Sequence, residues 1–142
     1  MTVRVAPILL YLLAGCLMMP PVPAYAAIRM AITMDDLPLR YSHSQKENPL
    51  SVVRQTIAIF KKHHVPEVYG FINAVRLEDA PKEIMQLRYW RKAGYPLGNH
   101  TYSHTDFNHV PLAAFKTEIE KNEAVLQKLA GKSDWKLMRF PY

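Results

Sequence analysis

The stretch AIRMAITM, residues 27–34, decides how this 142-residue sequence folds. Its apolar side chains recur at every second position, which is the pattern of a β-strand. Short runs of this kind then alternate with longer segments whose apolar residues recur at helical spacing. Such alternation implies crossover connections and a parallel sheet, so we expect an α/β fold, either open or curling toward a barrel. The alternating residues of the opening strand are Ile28, Met30, Ile32 and Met34.

The segments that follow have sequence signals for their ends. Pro49 suits the first turn of a helix, and Gly94 and Gly131 suit the positions just after a helix, where a left-handed backbone is common. The predicted elements in chain order are strand 27–34, helix 48–64, strand 67–73, helix 81–94, strand 95–100, helix 111–131 and a fourth strand at 135–140.

The first 26 residues have the composition of an export signal. One arginine, Arg4, precedes an apolar run that is shorter than a bilayer span, and small residues stand at Ala24 and Ala26. We therefore expect residues 1–26 to be removed and the protein to be periplasmic or extracellular. An uncleaved membrane anchor is the alternative. The remainder, residues 27–142, has the length of one small domain.

The only cysteine and the charge pattern limit the function further. Residues 13–16 resemble the bacterial lipoprotein box, so membrane attachment is expected only if Cys16 is acylated. If the leader is removed instead, disulfide and thiol chemistry are excluded. The net charge of +6 comes from residues spread along helical faces. Because there is no basic stripe with a reading element, we expect no nucleic-acid partner.

Polar residues lie at the carboxyl ends of three predicted strands. Asp35 and Asp36 follow the first strand, His100 and His104 follow the third, and Arg139 ends the fourth. The carboxyl ends of parallel strands share one rim, where active sites are built, so we expect these side chains to meet. Taken alone, the aspartates could be solvated turn residues, and the histidines a chance pair among six.

These residue types suit a metal-dependent hydrolase. Two imidazoles and one carboxylate around a divalent ion leave a position for water, as in catalytic zinc sites. Water bound to such an ion becomes a nucleophile near neutral pH. A second carboxylate that is not a ligand can accept the proton, and Arg139 can keep that carboxylate ionised and oriented. The residue types alone do not decide which aspartate has which role.

Three motifs in order, TMDD (33–36), HTYSH (100–104) and RFPY (139–142), resemble the first three motifs of the polysaccharide deacetylases. These carbohydrate esterases contain the NodB homology domain, whose motifs read T-F-D-D, H-[ST]-x-x-H and R-x-P-[FY]. Met34 replaces the usual aromatic residue. The resemblance implies an irregular (β/α) barrel. It also implies metal-dependent, most often zinc-dependent, removal of N- or O-acetyl groups from chitin oligomers, peptidoglycan, xylan or related glycans.

The resemblance also implies a role for each matching residue. Asp35 would be the catalytic base, tethered by Arg139. Pro141 and Tyr142 would line the site for the acetyl group, and the backbone amide of Tyr142 would help to bind the oxyanion. The implied metal ligands are Asp36, His100 and His104.

The resemblance covers essentially all of residues 27–142 but only the first part of the family domain. The later Asp/Trp motif and the late Leu-x-His motif, whose histidine acts as the general acid, have no counterpart, so we expect a domain that stops after its fourth strand. The expected function is metal-dependent removal of acetyl groups from carbohydrate. Two alternatives stay open, namely a deacylase or deformylase of a small sugar amide, and a non-catalytic carbohydrate-binding remnant.

Overall fold

The computed structural model describes residues 30–40, 48–131 and 135–142. The export signal predicted at 1–26 and the predicted acylation site Cys16 lie outside the described residues, so both stay predictions. Within the described ranges, no helix combines the length and the apolarity that a membrane span requires. The strands are β1 (Ile32–Leu37), β2 (Val68–Ile72) and β3 (Leu97–Asn99), and the helices are α1 (Pro49–Lys62), α2 (Arg76–Asp79), α3 (Ile84–Lys92) and α4 (Leu112–Ala130).

The three strands form one parallel sheet in the order β1-β2-β3, with helices in the connections, which confirms the predicted α/β class. The first strand differs from its prediction. It runs to Leu37, so Asp35 and Asp36 lie within β1 and do not follow it. The reason is that pairing with β2 resumes at Leu37, opposite Ile72, after a register shift that begins at Met34.

The fourth predicted strand, 135–140, is reduced to an isolated parallel bridge between Met138 and Asn99. Two hydrogen bonds accompany it: Asn99 N donates to Leu137 O (2.8 Å) and Arg139 N donates to Asn99 O (2.9 Å). Pro141 has no N–H to extend the ladder. This segment therefore lies beside β3, in the predicted direction, but makes only the first contacts of a strand.

The helices bury apolar residues at helical spacing, as their sequence pattern predicts. Helix α1 is capped by the Asn48 side chain, which accepts a hydrogen bond from Leu50 N (2.9 Å), and it buries Val53 and Ile57. Helix α3 buries Trp90, whose indole N–H donates to Pro96 O (2.9 Å). These side chains join the core that packs against the sheet.

Helix α4 is the longest helix described, and it positions much of the site discussed below. It ends before Gly131, which has φ +61°, as the sequence predicts. Its buried face contains Phe115 and Leu126, but also Asn122 between them. A polar side chain in this stripe is unexpected for a core helix, because burial of an amide is favourable only when it is fully hydrogen-bonded.

Candidate metal centre

The three predicted metal ligands lie together at the rim of the sheet. Asp36, His100 and His104 each offer one ligand atom, and these atoms all lie within 4.8 Å of one another. Asp36 Oδ1 is 3.5 Å from His104 Nε2 and 4.0 Å from His100 Nε2. The structure thus brings together residues from β1 and from the loop after β3, as the matching strand ends predict.

The register shift in β1 explains how two adjacent aspartates reach the same rim. On a regular strand, neighbouring side chains point to opposite faces. Asp36 has φ +65°, a left-handed conformation that aspartate tolerates better than most residues. Because this conformation interrupts the alternation, the carboxylates of Asp35 and Asp36 can both serve one site.

The two histidines lie on a loop, so their spacing of four residues does not reflect a helix. Strand β3 ends at Asn99, and the loop that follows has left-handed backbone at Thr101 (φ +61°) and at His104 (φ +60°). Thr105 N donates to Thr101 Oγ1 (3.0 Å), which closes the turn. Left-handed backbone is unfavourable for a β-branched residue, so surrounding contacts must hold Thr101 there.

His100 is held in the tautomer that a metal ligand needs. Its Nδ1 lies 2.8 Å from the backbone carbonyl oxygen of Arg139. Because a carbonyl only accepts hydrogen bonds, Nδ1 carries the proton and donates it. Nε2, on the Asp36 side, then has a free lone pair, and this pairing of the second ring nitrogen is characteristic of metal-ligating histidines.

Asp35 is paired with Arg139, as predicted. Arg139 Nε lies 3.0 Å from Asp35 Oδ2, and its NH1 donates to Thr33 Oγ1 (2.9 Å). The other carboxylate oxygen of Asp35, Oδ1, is buried and has no hydrogen-bond partner among the described residues. One oxygen is thus fixed by the guanidinium, and the other is left as an acceptor.

The ligand set fits a divalent metal ion. Asp36 Oδ1 is buried and faces the Nε2 atoms of His100 and His104. Ligands bound about 2.0–2.1 Å from a tetrahedral zinc ion lie roughly 3.3 Å apart. The separations of 3.5 and 4.0 Å from Asp36 Oδ1 are close to that spacing. One ion could therefore be bound by all three ligand atoms.

Sequence reasoning missed Arg76, which also contacts this oxygen. Arg76 NH2 forms an ion pair with Asp36 Oδ1 (3.2 Å), and its NH1 donates to the backbone oxygens of Asp36 and of Pro38. Burial lowers the pKa of Arg76, and the nearby Asp36 carboxylate partly opposes this shift. Arg76 follows β2, so the strand-end argument applied to the second strand would have found it.

The two residues predicted to line the acetyl site have different environments. Pro141 is buried, whereas Tyr142 is 89% exposed and has φ +63°. The Tyr142 ring packs edge-on against His104, with 4.9 Å between ring centroids. The structure therefore places Tyr142 beside a predicted ligand, while its role toward an acetyl group stays a prediction.

Comparison with known proteins connects this site to a family. The sequence model of the family described as "Polysaccharide deacetylase" matches residues 25–142. Over 118 residues the chain is 28% identical to a peptidoglycan-N-acetylglucosamine deacetylase of Bacillus cereus, an alignment that covers 83% of this chain and 38% of that protein.

Two solved structures show the same fold. The peptidoglycan deacetylase PdaC from Bacillus subtilis matches with a TM-score of 0.57 and 23% identity, over 79% of this chain and 48% of that one. A CE4 family pseudoenzyme from Bacillus anthracis matches with a TM-score of 0.61 and 13% identity, over 78% of this chain and 34% of that one. This chain thus spans less than half the length of each relative.

At these identities, the structural matches concern the fold alone, and they agree with the first part of the predicted irregular (β/α) barrel. The family model is more specific, since it covers most of the chain and includes the segments that contain the acidic pair, the imidazole pair and Arg139. The chain therefore belongs to the polysaccharide deacetylase family.

Proposed function

We propose that this chain contains the metal-binding and base-bearing part of a hydrolase that removes acetyl groups from N- or O-acetylated carbohydrate. The observation that carries this proposal is the cluster of three ligand atoms, one each from Asp36, His100 and His104, which all lie within 4.8 Å of one another. The relative of this chain from Bacillus cereus is a peptidoglycan-N-acetylglucosamine deacetylase. An N-acetylated aminosugar is therefore the first substrate class to test.

In this proposal, Asp36, His100 and His104 hold a divalent ion, for which zinc suits the ligand set. When bound, zinc would polarise an acetyl carbonyl and acidify water in its open position. Because the hydrogen bond to Arg139 O uses Nδ1, Nε2 is the ring nitrogen that would bind the ion. His100 is almost fully buried, so its ring has little freedom to turn away.

Asp35 has the role of catalytic base. Arg139 Nε fixes Oδ2, which leaves Oδ1 to accept the proton of the attacking water. The Arg139 NH1 bond to Thr33 fixes the guanidinium in turn. An aspartate that is held at one oxygen by a planar guanidinium can present its other oxygen in a constant direction.

Pro141 and Tyr142 line the site for the acetyl methyl group and oxygen. Contact between the rings of Tyr142 and His104, with 4.9 Å between their centroids, supports this role. A backbone N–H at this position can donate to the oxygen on which negative charge develops during attack on the acetyl carbon.

The location of the protein is part of the proposal. Residues 1–26 have the composition of an export signal, which would deliver the protein to the glycans of the cell envelope or beyond. Acylation of Cys16 would instead retain it at a membrane surface.

A second candidate function is non-catalytic binding of carbohydrate. It is favoured by the similarity of fold to a family pseudoenzyme. In that case the site would hold metal without turnover. A third outcome, release of formate or another acyl group from a small sugar amide, would point to a deacylase.

Zinc content and acetate release, measured on the same preparation with N-acetylated chitin oligomers and peptidoglycan, test the proposal. We expect one zinc ion per chain together with acetate, whereas zinc without acetate favours the non-catalytic candidate. Asp35→Asn should abolish acetate release and retain zinc. Loss of zinc in that variant would mean that the two aspartates have exchanged roles. Asp79→Asn removes an exposed carboxylate paired with Arg40 and should change neither quantity.

A further inference from the structure

Three asparagines are buried behind the loop that contains the histidines. Asn73 follows β2, Asn99 ends β3, and Asn122 lies in the middle of α4, with relative exposures of 0%, 2% and 0%. None of them belongs to the acidic, imidazole or guanidinium groups of the centre. Burial of three amides next to each other is favourable only if nearly all of their donors and acceptors are used.

Asn73 holds the carbonyl groups at the start of the loop. Its Nδ2 donates to His100 O (2.6 Å) and to Thr101 O (3.0 Å). The opposite orientation of the amide would place Oδ1 against two other oxygens, so the orientation is unambiguous. The peptide groups on both sides of Thr101 are therefore fixed from one face.

Asn99 holds the same loop from the other face. Its Oδ1 accepts hydrogen bonds from Thr101 N (2.9 Å) and from Asn122 Nδ2 (2.8 Å). Its Nδ2 donates to Ile119 O of helix α4 (3.1 Å). The left-handed conformation of Thr101 thus depends on an amide that is itself held at both ends by α4.

Asn122 connects this amide to the sheet. Besides its bond to Asn99, its Nδ2 donates to Ile72 O (2.8 Å), and its Oδ1 accepts from Ala74 N (3.0 Å). One side chain of α4 therefore joins the end of β2 to the end of β3. Among the described residues, its side-chain hydrogen bonds go to Ile72, Ala74 and Asn99 and not to a predicted ligand.

We propose that Asn122 is a positioning residue for the metal centre, acting through Asn99 and Thr101 on His100 and His104. Without this donor, the Asn99 amide keeps only its bond to Ile119 O on α4, and Thr101 is held less firmly in its unfavourable left-handed conformation. The imidazoles on either side of Thr101 would then separate. This inference rests on the proposed metal site.

The core gives a reason to expect that metal affinity and fold stability respond separately. Leu126 lies one turn beyond Asn122 on the same buried face of α4, and its side chain packs in the apolar core and cannot form a hydrogen bond to the amides. A change at Leu126 should weaken the fold and leave the loop geometry intact. A change at Asn122 should act on the loop first.

The test is the zinc Kd of the intact protein, measured by competition with a chromophoric chelator, together with the visible absorption spectrum of the Co²⁺-loaded protein. Asn122→Asp keeps the shape and the acceptor for Ala74 N but removes both donors. We expect it to weaken zinc binding roughly 10- to 100-fold, the range typical of partners outside the ligand set, and to alter the Co²⁺ spectrum. If the aspartate variant does not fold, Asn122→Ser replaces it in the test, because serine introduces no charge. We expect this variant also to weaken zinc binding and to alter the Co²⁺ spectrum.

Leu126→Ala is the matched control. It should lower the melting temperature at least as much, while its zinc Kd stays within about twofold of the wild type, because the loop contacts are unchanged. Folded Asn122 variants with the wild-type Kd and Co²⁺ spectrum overturn the positioning role alone. A wild-type protein that binds no zinc overturns the proposed function and this inference with it.

Discussion

Asp36 and His104 lie 3.5 Å apart, yet different forces hold the two sides of the centre. On the carboxylate side, Asp35 and Asp36 are held by the charged side chains of Arg139 and Arg76. On the imidazole side, the buried start of the loop, at His100 and Thr101, is held by the uncharged amides of Asn73 and Asn99. The Asp36 side chain is 44% exposed, whereas that of His100 is 4% exposed.

The two kinds of contact contribute differently to the stability of the fold and to the chemistry of the site. Buried hydrogen bonds between uncharged groups are costly to break, because the partner left behind has no water to bond. Ion pairs of partly exposed side chains contribute little to stability but fix the direction of a charge. We therefore expect changes on the imidazole side to weaken the fold, and changes on the carboxylate side to alter activity in a stable protein.

The largest expected effect is on stability and comes from Asn73→Leu. Leucine has a similar volume but leaves His100 O and Thr101 O without their buried donor, so we expect a loss of about 4 kcal/mol in the free energy of unfolding. Urea unfolding measures this quantity. Asn108→Leu is the control: Asn108 is exposed, with its amide bonded only to Asp106 in the described contacts, and its cost should stay within about 0.5 kcal/mol. Equal losses in both variants would remove the distinction between the two sides.

Arg139→Lys tests the carboxylate side. Lysine retains the charge but cannot hold Asp35 Oδ2 and Thr33 Oγ1 at once, so the base loses its fixed direction. We expect acetate release to fall roughly 100-fold, about 2.7 kcal/mol in the barrier, with less than about 1 kcal/mol of stability lost. Steady-state rates and urea unfolding of the same variant give both numbers. Arg40→Lys, in an exposed pair with Asp79, should leave both unchanged.

Gly98→Ala tests whether the imidazole side depends on close approach of the 135–142 segment. A Cβ at this position would lie 2.6 Å from Phe71 Cε1 and 2.9 Å from Leu137 O. We expect a loss of about 2 kcal/mol, because neither the ring nor the backbone carbonyl can easily move. Phe71→Leu in the same chain should recover part of that loss by making room. Wild-type stability in the single variant would show that the approach is not a constraint.

The smallest effect is expected at Tyr102, on the exposed side of the same loop. Its hydroxyl donates to Glu78, and this bond raises the pKa of Tyr102 to about 12. The protonated form is favoured in the folded protein, so the contribution is complete below the ordinary pKa of 10.0 and is lost as the pH rises through about 12. Because the hydroxyl is mostly exposed, we expect well under about 1 kcal/mol.

Glu78→Gln should return the Tyr102 pKa toward its ordinary value. Ultraviolet difference titration against the wild type isolates this one tyrosine. The control is Glu120→Gln, which removes an exposed carboxylate of α4 and should leave the titration curve unchanged. A curve for Glu78→Gln identical to that of the wild type would contradict the assigned bond.

Most residues of the candidate metal centre could be placed from the sequence, because a parallel sheet brings its strand ends to one rim. That reasoning located Asp35 and Asp36, the histidine pair and Arg139. It was applied to the first, third and fourth strands only. Applied to β2, the same reasoning would have included Asn73 and Arg76. Both residue types are common in loops, so neither by itself indicated a functional role.

The local backbone could not be predicted. Asp36 adopts a left-handed conformation while its carbonyl is held by a distant residue, Arg76. At Thr101 the N–H bonds the side chain of Asn99, two residues earlier, a local turn that asparagine favours. The Asn99 amide is in turn bonded to the distant Asn122, which the local sequence does not indicate. The apolar stripe of α4 places position 122 in the core, and an asparagine there indicates a buried hydrogen-bond network. Its partners lie on two strands, however, so only the folded structure identifies them.

Arg139 serves both sides at once: its carbonyl accepts from His100 and its guanidinium holds Asp35. Its bond to Thr33 joins residues 106 positions apart, so this contact belongs to the class that forms late, after the local turns and helices. Without the 135–142 segment beside β3, Asp35 Oδ2 and His100 Nδ1 would both lose the partners described above. The orientation of the proposed base and of one proposed ligand thus depends on the same short segment.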